Sequence, residues 1–90
     1  MECRRIIVHG VVQGVGFRYH TQLQAQQLGV LGYVRNQPNG TVEILAEGEA
    51  SPIQALLEWA KVGPASARVS HLDIEVLPAQ GTFTTFSIEY

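Results

Sequence analysis

Gly10-Val11-Val12-Gln13-Gly14-Val15-Gly16-Phe17-Arg18 places three glycines and an arginine within nine residues. Glycine turns with positive φ and lets other atoms come close. In such a turn successive amide N–H groups can face one concavity and receive an anion. The β-branched run Ile6-Ile7-Val8 leads in, and a helix-like segment, Tyr19 to Leu28, leads out. A helix start beside the loop adds unpaired N–H groups and positive partial charge. Arg18 adds a full charge on a planar fork that fits a phosphate. Strand, glycine loop and helix start together read as a small phosphate cradle.

The familiar nucleotide loops do not fit. A Walker loop closes on Gly-Lys-Ser/Thr, where this chain has Phe17-Arg18-Tyr19; a dinucleotide fingerprint wants glycine where Tyr19 stands. ATP and NAD are therefore not expected, and no cofactor is called for.

The elements that must hold the loop follow from periodicity. Residues 4–12 read as a first strand. In the helix from Tyr19 to Leu28, stopped by Gly29, Thr21, Ala25 and Leu28 share a face with the preceding Phe17, so Phe17 is a core anchor. Val30 to Gln37 and Thr41 to Glu47 read as a hairpin about Asn39-Gly40, a pair suited to the tight primed turns. Val42, Ile44 and Ala46 give it one apolar face; the other is mixed, as for a sheet with helices on one side only. Ser51-Pro52-Ile53-Gln54 opens a second helix with a capping box, Pro52 at its first position. Ile53, Leu56, Leu57 and Ala60 form its buried stripe, Trp59 sits at the stripe's edge, and Gly63-Pro64 stops it. Val69 to Leu77 is a fourth strand and Phe83 to Tyr90 a short last edge strand. The expected fold is α+β, a ferredoxin-like βαββαβ sandwich: an antiparallel sheet with two helices on one face and an extra C-terminal edge strand.

Composition bounds the function. Ninety residues, 46% hydrophobic and 16% charged, make one domain, residues 1–90. A formal charge of −2 with no basic tract gives no nucleic-acid or anionic-membrane footprint. No apolar run approaches membrane-spanning length. One cysteine, Cys3, cannot form an internal disulfide and reads as a packing residue. The default is a cytoplasmic monomer. The three histidines, His9, His20 and His71, show no pairing at metal-ligand spacing and no acidic cluster beside them, so no metal is expected. His9 reads as a strand residue beside the loop, His20 as solvated, His71 as a surface strand residue.

Val8-His9-Gly10-Val11-Val12-Gln13-Gly14-Val15-Gly16-Phe17-Arg18 resembles the signature of the acylphosphatases. A second signature of that family is matched by Gly29-Val30-Leu31-Gly32-Tyr33-Val34-Arg35-Asn36 with Asn39-Gly40-Thr41-Val42-Glu43. The resemblance covers nearly the whole chain and weakens after Pro64. It implies the ferredoxin-like fold and hydrolysis of carboxylic–phosphoric mixed anhydrides, without metal and without a covalent phosphoenzyme. Carried over residue by residue, it implies that the backbone amides of Gln13, Gly14, Val15, Gly16 and Phe17 hold the phosphoryl oxygens. Arg18 then pairs with them and Asn36 orients the attacking water. In some members of the family the C-terminal carboxylate pairs with the arginine; Tyr90 stands at that place, although Glu89 replaces a frequent arginine.

The residues are consistent with such chemistry. No serine, cysteine or aspartate lies in the loop as a nucleophile. Phosphoryl transfer rests on positioning and electrostatics, and a carboxylate departs without a proton donor. The alternative is a non-catalytic module that binds acyl or carbamoyl phosphate, as in a larger hydrogenase-maturation protein, or a regulatory domain of the same fold. The lack of a further domain in the chain favours the enzyme. An RNA-binding reading would need aromatic and basic residues on the middle strands, where Ile6-Ile7-Val8 and Thr41-Val42-Glu43-Ile44 stand.

Overall fold

The structure, a computed structural model, describes residues 1–90. The order is β1 (Glu2–Val11), α1 (Phe17–Leu28), β2 (Leu31–Asn36), β3 (Val42–Gly48), α2 (Ala50–Ala60), β4 (Arg68–Leu77) and β5 (Phe86–Glu89). One sheet runs β4-β1-β3-β2-β5. The first four strands pair antiparallel, as the ferredoxin-like plan requires. The fifth pairs parallel to β2, so the sheet is mixed, not wholly antiparallel as expected.

The core lies between the sheet and the helices. Ile6 and Val8 on β1, Val34 on β2, and Val42, Ile44 and Ala46 on β3 point to one side and are fully buried. They meet Phe17 and Ala25 of α1 and the Ile53, Leu56, Leu57, Ala60 stripe of α2. Helix α1 packs on β2 and β5, and α2 on β1 and β3. The margin strand β4 is left with Ile74 and Val76 exposed. Phe17 anchors the start of α1. Its ring lies 5.5 Å from that of Trp59, and a Cβ on Gly63 would come within 2.7 Å of it. Truncating such a ring costs about 3–5 kcal/mol.

Three local expectations are corrected. Helix α1 starts at Phe17, two residues before Tyr19, behind a left-handed Gly16 with φ 77°. The Asn39-Gly40 hairpin is not a primed two-residue turn, because only Gly40 has positive φ there, at 91°. The Gly40 N–H donates to the Gln37 carbonyl at 3.1 Å, and the Gln37 N–H to the Thr41 carbonyl at 2.9 Å. That is a three-residue loop whose first residue, Pro38, has the φ a type I turn needs. Helix α2 starts at Ala50 with Glu49 as its cap residue and no side-chain cap, so Ser51 and Gln54 form no capping box. Pro52 is the third helical residue, where its missing N–H is still one of the unpaired ones.

The helix-free face is also not simply solvated. Glu43 and Glu47 are each 1% exposed. To pass from β4 at one edge to β5 at the other, residues 78–85 must cross this face. Glu47 holds the crossing, accepting the N–H groups of Gln80 at 2.8 Å and Gly81 at 3.1 Å. The Phe83 ring stands 6.2 Å from that of Tyr33. Cys3 is covered there; burial, then the charge of Glu47, pushes its thiol pKa up, which suits packing and not nucleophilic attack. Glu43 accepts hydrogen bonds from Arg5, Arg35 and Tyr33. Burial alone would raise its pKa, but the hydrogen bonds and charges of the two arginines outweigh it and hold the carboxyl below its usual range.

Candidate active site

The cradle forms where β1 ends. Gly14 and Gly16 have φ of 74° and 77°, and no non-glycine residue has positive φ, so Val15 lies between two left-handed glycines. Alternation of this kind turns consecutive N–H groups toward one side. No amide from Gln13 to Phe17 donates a hydrogen bond within the protein. The first amide past the loop to do so is that of His20, to the Gly16 carbonyl at 3.0 Å. Helix α1 has no side-chain cap, so its first N–H groups open onto the same place.

The two loop residues with longer side chains anchor it. Val15 packs on the core. The Gln13 side-chain amide donates to the carbonyls of Gln37 at 2.8 Å and Thr41 at 2.9 Å, stapling the loop to the β2–β3 turn. His20 Nδ1 lies 2.9 Å from the Gly16 carbonyl, so this histidine is tied to the loop despite its exposure.

A pocket of about 150 Å³ opens beside the loop, lined by Val12, Gly14, Gly16, Phe17, Arg18, Tyr19, Asn36, Ile88 and Tyr90. Of the residues read from the sequence, Gly14, Gly16, Phe17, Arg18 and Asn36 meet there, while Gln13 and Val15 stand in the same loop and support it. Asn36 is the last residue of β2. Its side-chain Oδ1 is buried without any hydrogen-bond partner. An unpaired buried acceptor costs about 1–3 kcal/mol, so the placement of this amide is not explained by stability.

Arg18 makes no ion pair with any carboxylate. Its guanidinium lies over the Tyr90 ring, 4.8 Å from the centroid. The ring, not the C-terminal carboxylate, is what meets the arginine. The parallel β5 brings Ile88 and Tyr90 to the Asn36 end of β2, and Gln22 fastens α1 to β5 through the Phe86 carbonyl at 3.1 Å. Sequence reasoning placed Tyr90 beside Arg18 through its carboxylate and not its ring; it missed Tyr19 on the first turn of α1 and Ile88, whose position depends on the strand pairing.

The histidines are also corrected. His9 and His71 stack across β1 and β4, and Asp73 joins them, so a paired set with a carboxylate exists where none was expected.

A sequence profile of the acylphosphatases matches residues 4–88. The chain belongs to the acylphosphatase family. An acylphosphatase of Yersinia pseudotuberculosis is 54% identical over 92% of this chain and 90% of its own length. One of Geobacter metallireducens is 47% identical over 100% and 98%. The crystal structure of the Bacillus subtilis acylphosphatase superposes with a TM-score of 0.96 at 40% identity, covering both chains fully. The chain is also similar to 12% of the HypF protein of T. kodakarensis, with a TM-score of 0.87 at 32% identity. The acylphosphatase fold is thus shared by free-standing enzymes and by part of a larger protein.

Proposed function

We propose that this acylphosphatase hydrolyses its acyl phosphate by holding the phosphoryl group in the 13–17 loop. The amides of Gln13, Gly14, Val15, Gly16 and Phe17 receive the phosphoryl oxygens. Arg18 forks onto them and balances the charge that develops in the transition state. Asn36 Oδ1 accepts a hydrogen bond from the attacking water and aims it in line with the leaving carboxylate. An amide is a poor base, but a loose transition state asks for position more than for proton abstraction. Bond formation from water oxygen to phosphorus and cleavage of the phosphorus–acyl oxygen bond give a carboxylate and inorganic phosphate.

The observation that carries this reading is that Asn36, whose Oδ1 has no partner, lines the same small pocket as Arg18 and the two left-handed glycines. Relatives named acylphosphatases, 47% and 40% identical, favour the enzyme over a binding module. The cradle, Arg18 and Asn36 come from one chain, which supports a working monomer; its expected compartment is the cytoplasm. No helix is long and apolar enough to cross a membrane. The test is phosphate release from acetyl phosphate in the presence of a chelator, set against a phosphate monoester. Rapid release from the first and little from the second is expected. No release from the acyl phosphate, with binding retained, would make the protein a binder.

A further inference from the structure

We propose that His9, His71 and Asp73 form a binding site for Zn²⁺ on the helix-free face of the sheet, separate from the phosphate pocket. His9 on β1 and His71 on β4 are directly opposed in register, and Asp73 follows two residues on, on the same face. Their ligand atoms all lie within 4.8 Å of one another. His9 Nε2 is 2.8 Å from one Asp73 oxygen and His71 Nε2 is 3.8 Å from the other. Ligands of a tetrahedral zinc ion stand about 3.3 Å apart, from bonds of about 2.0–2.2 Å. The two histidine–carboxylate separations lie on either side of that value, and the two imidazoles approach within 4.8 Å.

Two further features suit a cation. Asp73 has no lysine or arginine partner; the two imidazoles are its only neighbours of opposite potential charge. The imidazole rings are stacked, with centroids 4.1 Å apart and planes 9° apart. To meet at one tetrahedral ion the stacked rings must splay apart from this arrangement, and the His71 side chain, 58% exposed, is free to rotate. The platform under them is fixed: just past His9 the register shifts at a bulge, and a Cβ on Gly10 would come within 2.0 Å of the Arg68 carbonyl oxygen. The backbones are therefore packed tightly at that place.

Donor chemistry selects the ion. Two imidazoles and one carboxylate favour a first-row transition ion over Mg²⁺ or Ca²⁺, which prefer all-oxygen shells. Three protein ligands leave a fourth position for water. Zn²⁺ bound at His9 Nε2 requires that nitrogen to be free of a proton, so the neutral ring carries its proton on Nδ1.

The test uses the full chain, freed of metal, with Zn²⁺ and with Cu²⁺ as a spectroscopic probe. One equivalent of Zn²⁺ is expected by calorimetry, with a rise in thermal midpoint. One Cu²⁺ with two coordinated nitrogens is expected by electron paramagnetic resonance. His71→Ala and, independently, the near-isosteric Asp73→Asn should each weaken Zn²⁺ binding at least about 10-fold and abolish the thermal shift. Both positions are exposed on the edge strand, and circular dichroism verifies the fold of each variant. Absence of Zn²⁺ binding, or equal binding by the parent and the His71→Ala protein, overturns the proposal.

Discussion

The Gln13 side-chain amide donates to the Thr41 carbonyl at 2.9 Å, and the same nitrogen reaches the Gln37 carbonyl at 2.8 Å. This staple joins the two halves of the pocket. One half is the glycine loop with Arg18, at the start of α1. The other is Asn36, one residue before Gln37. The sheet sets their coarse separation, since Val8 and Asn36 both pair with Val42, and the Gln13 side chain then fastens the loop to that frame. Gln13→Ala keeps the backbone amide and loses the staple. Since an ångström of misplacement can cost about 100-fold, we expect a fall of about 10- to 100-fold in kcat with a smaller change in KM, read by steady-state acyl phosphate hydrolysis.

Asn36→Ala separates function from stability. It removes a buried acceptor that has no partner. Stability by urea denaturation should stay level or rise by up to about 1 kcal/mol. Turnover should fall about 10²- to 10³-fold, the usual loss for one preorganised hydrogen-bonding group. Destabilisation by several kcal/mol would mean that Asn36 serves the fold.

Arg18 has no carboxylate to hold it, only the Tyr90 ring at 4.8 Å. Arg18→Ala should lose about 10²- to 10³-fold in kcat/KM. Arg18→Lys should also lose most of the activity, because an ammonium cannot replace the planar fork. Tyr90→Ala should cost only a few-fold, in line with about 0.5–1 kcal/mol for an exposed cation–π pair. Kinetics of the three variants test this order.

Glu43 gives the pH dependence of stability. Its carboxyl lies below the usual range when folded, because the hydrogen bonds and charges of Arg5 and Arg35 overcome burial. A depressed folded value means that the stabilisation is present above the unfolded carboxylate value, about 4.3, and is lost as pH falls through the folded value. Both arginine side chains are partly solvated, 35% and 49% exposed, so the network contributes about 1–2 kcal/mol. Glu43→Gln should lose that amount at pH 7, and its gap from the parent protein should narrow as pH falls below the unfolded carboxylate value and through the lowered folded one, by denaturant unfolding at each pH.

Much of the fold was legible because its signals are local. The Val42, Ile44, Ala46 alternation and the Ile53, Leu56, Leu57, Ala60 stripe report their own faces. Gly14, Gly16, Arg18 and Asn36 were legible through the family resemblance, and the structure brings them to one pocket. What escaped is what depends on strand register or chain crossing. His9 and His71 are 62 residues apart in sequence yet opposed in the sheet. Tyr90 reaches Arg18 only because β5 runs parallel to β2. Glu43 and Glu47 look solvent-facing by alternation, but arginines and the 78–85 crossing cover them. Ser51 and Pro52 mark a first turn without fixing its first residue, since proline fits several positions there.

A crystal of the protein grown with orthovanadate tests the account most directly. We expect vanadium seated against the amides of Gln13 to Phe17, the Arg18 guanidinium on its equatorial oxygens, and an apical oxygen within hydrogen-bonding distance of the Asn36 side chain. Vanadate bound elsewhere with the 13–17 loop empty, or seated there with Asn36 turned away from the apical oxygen, would contradict it.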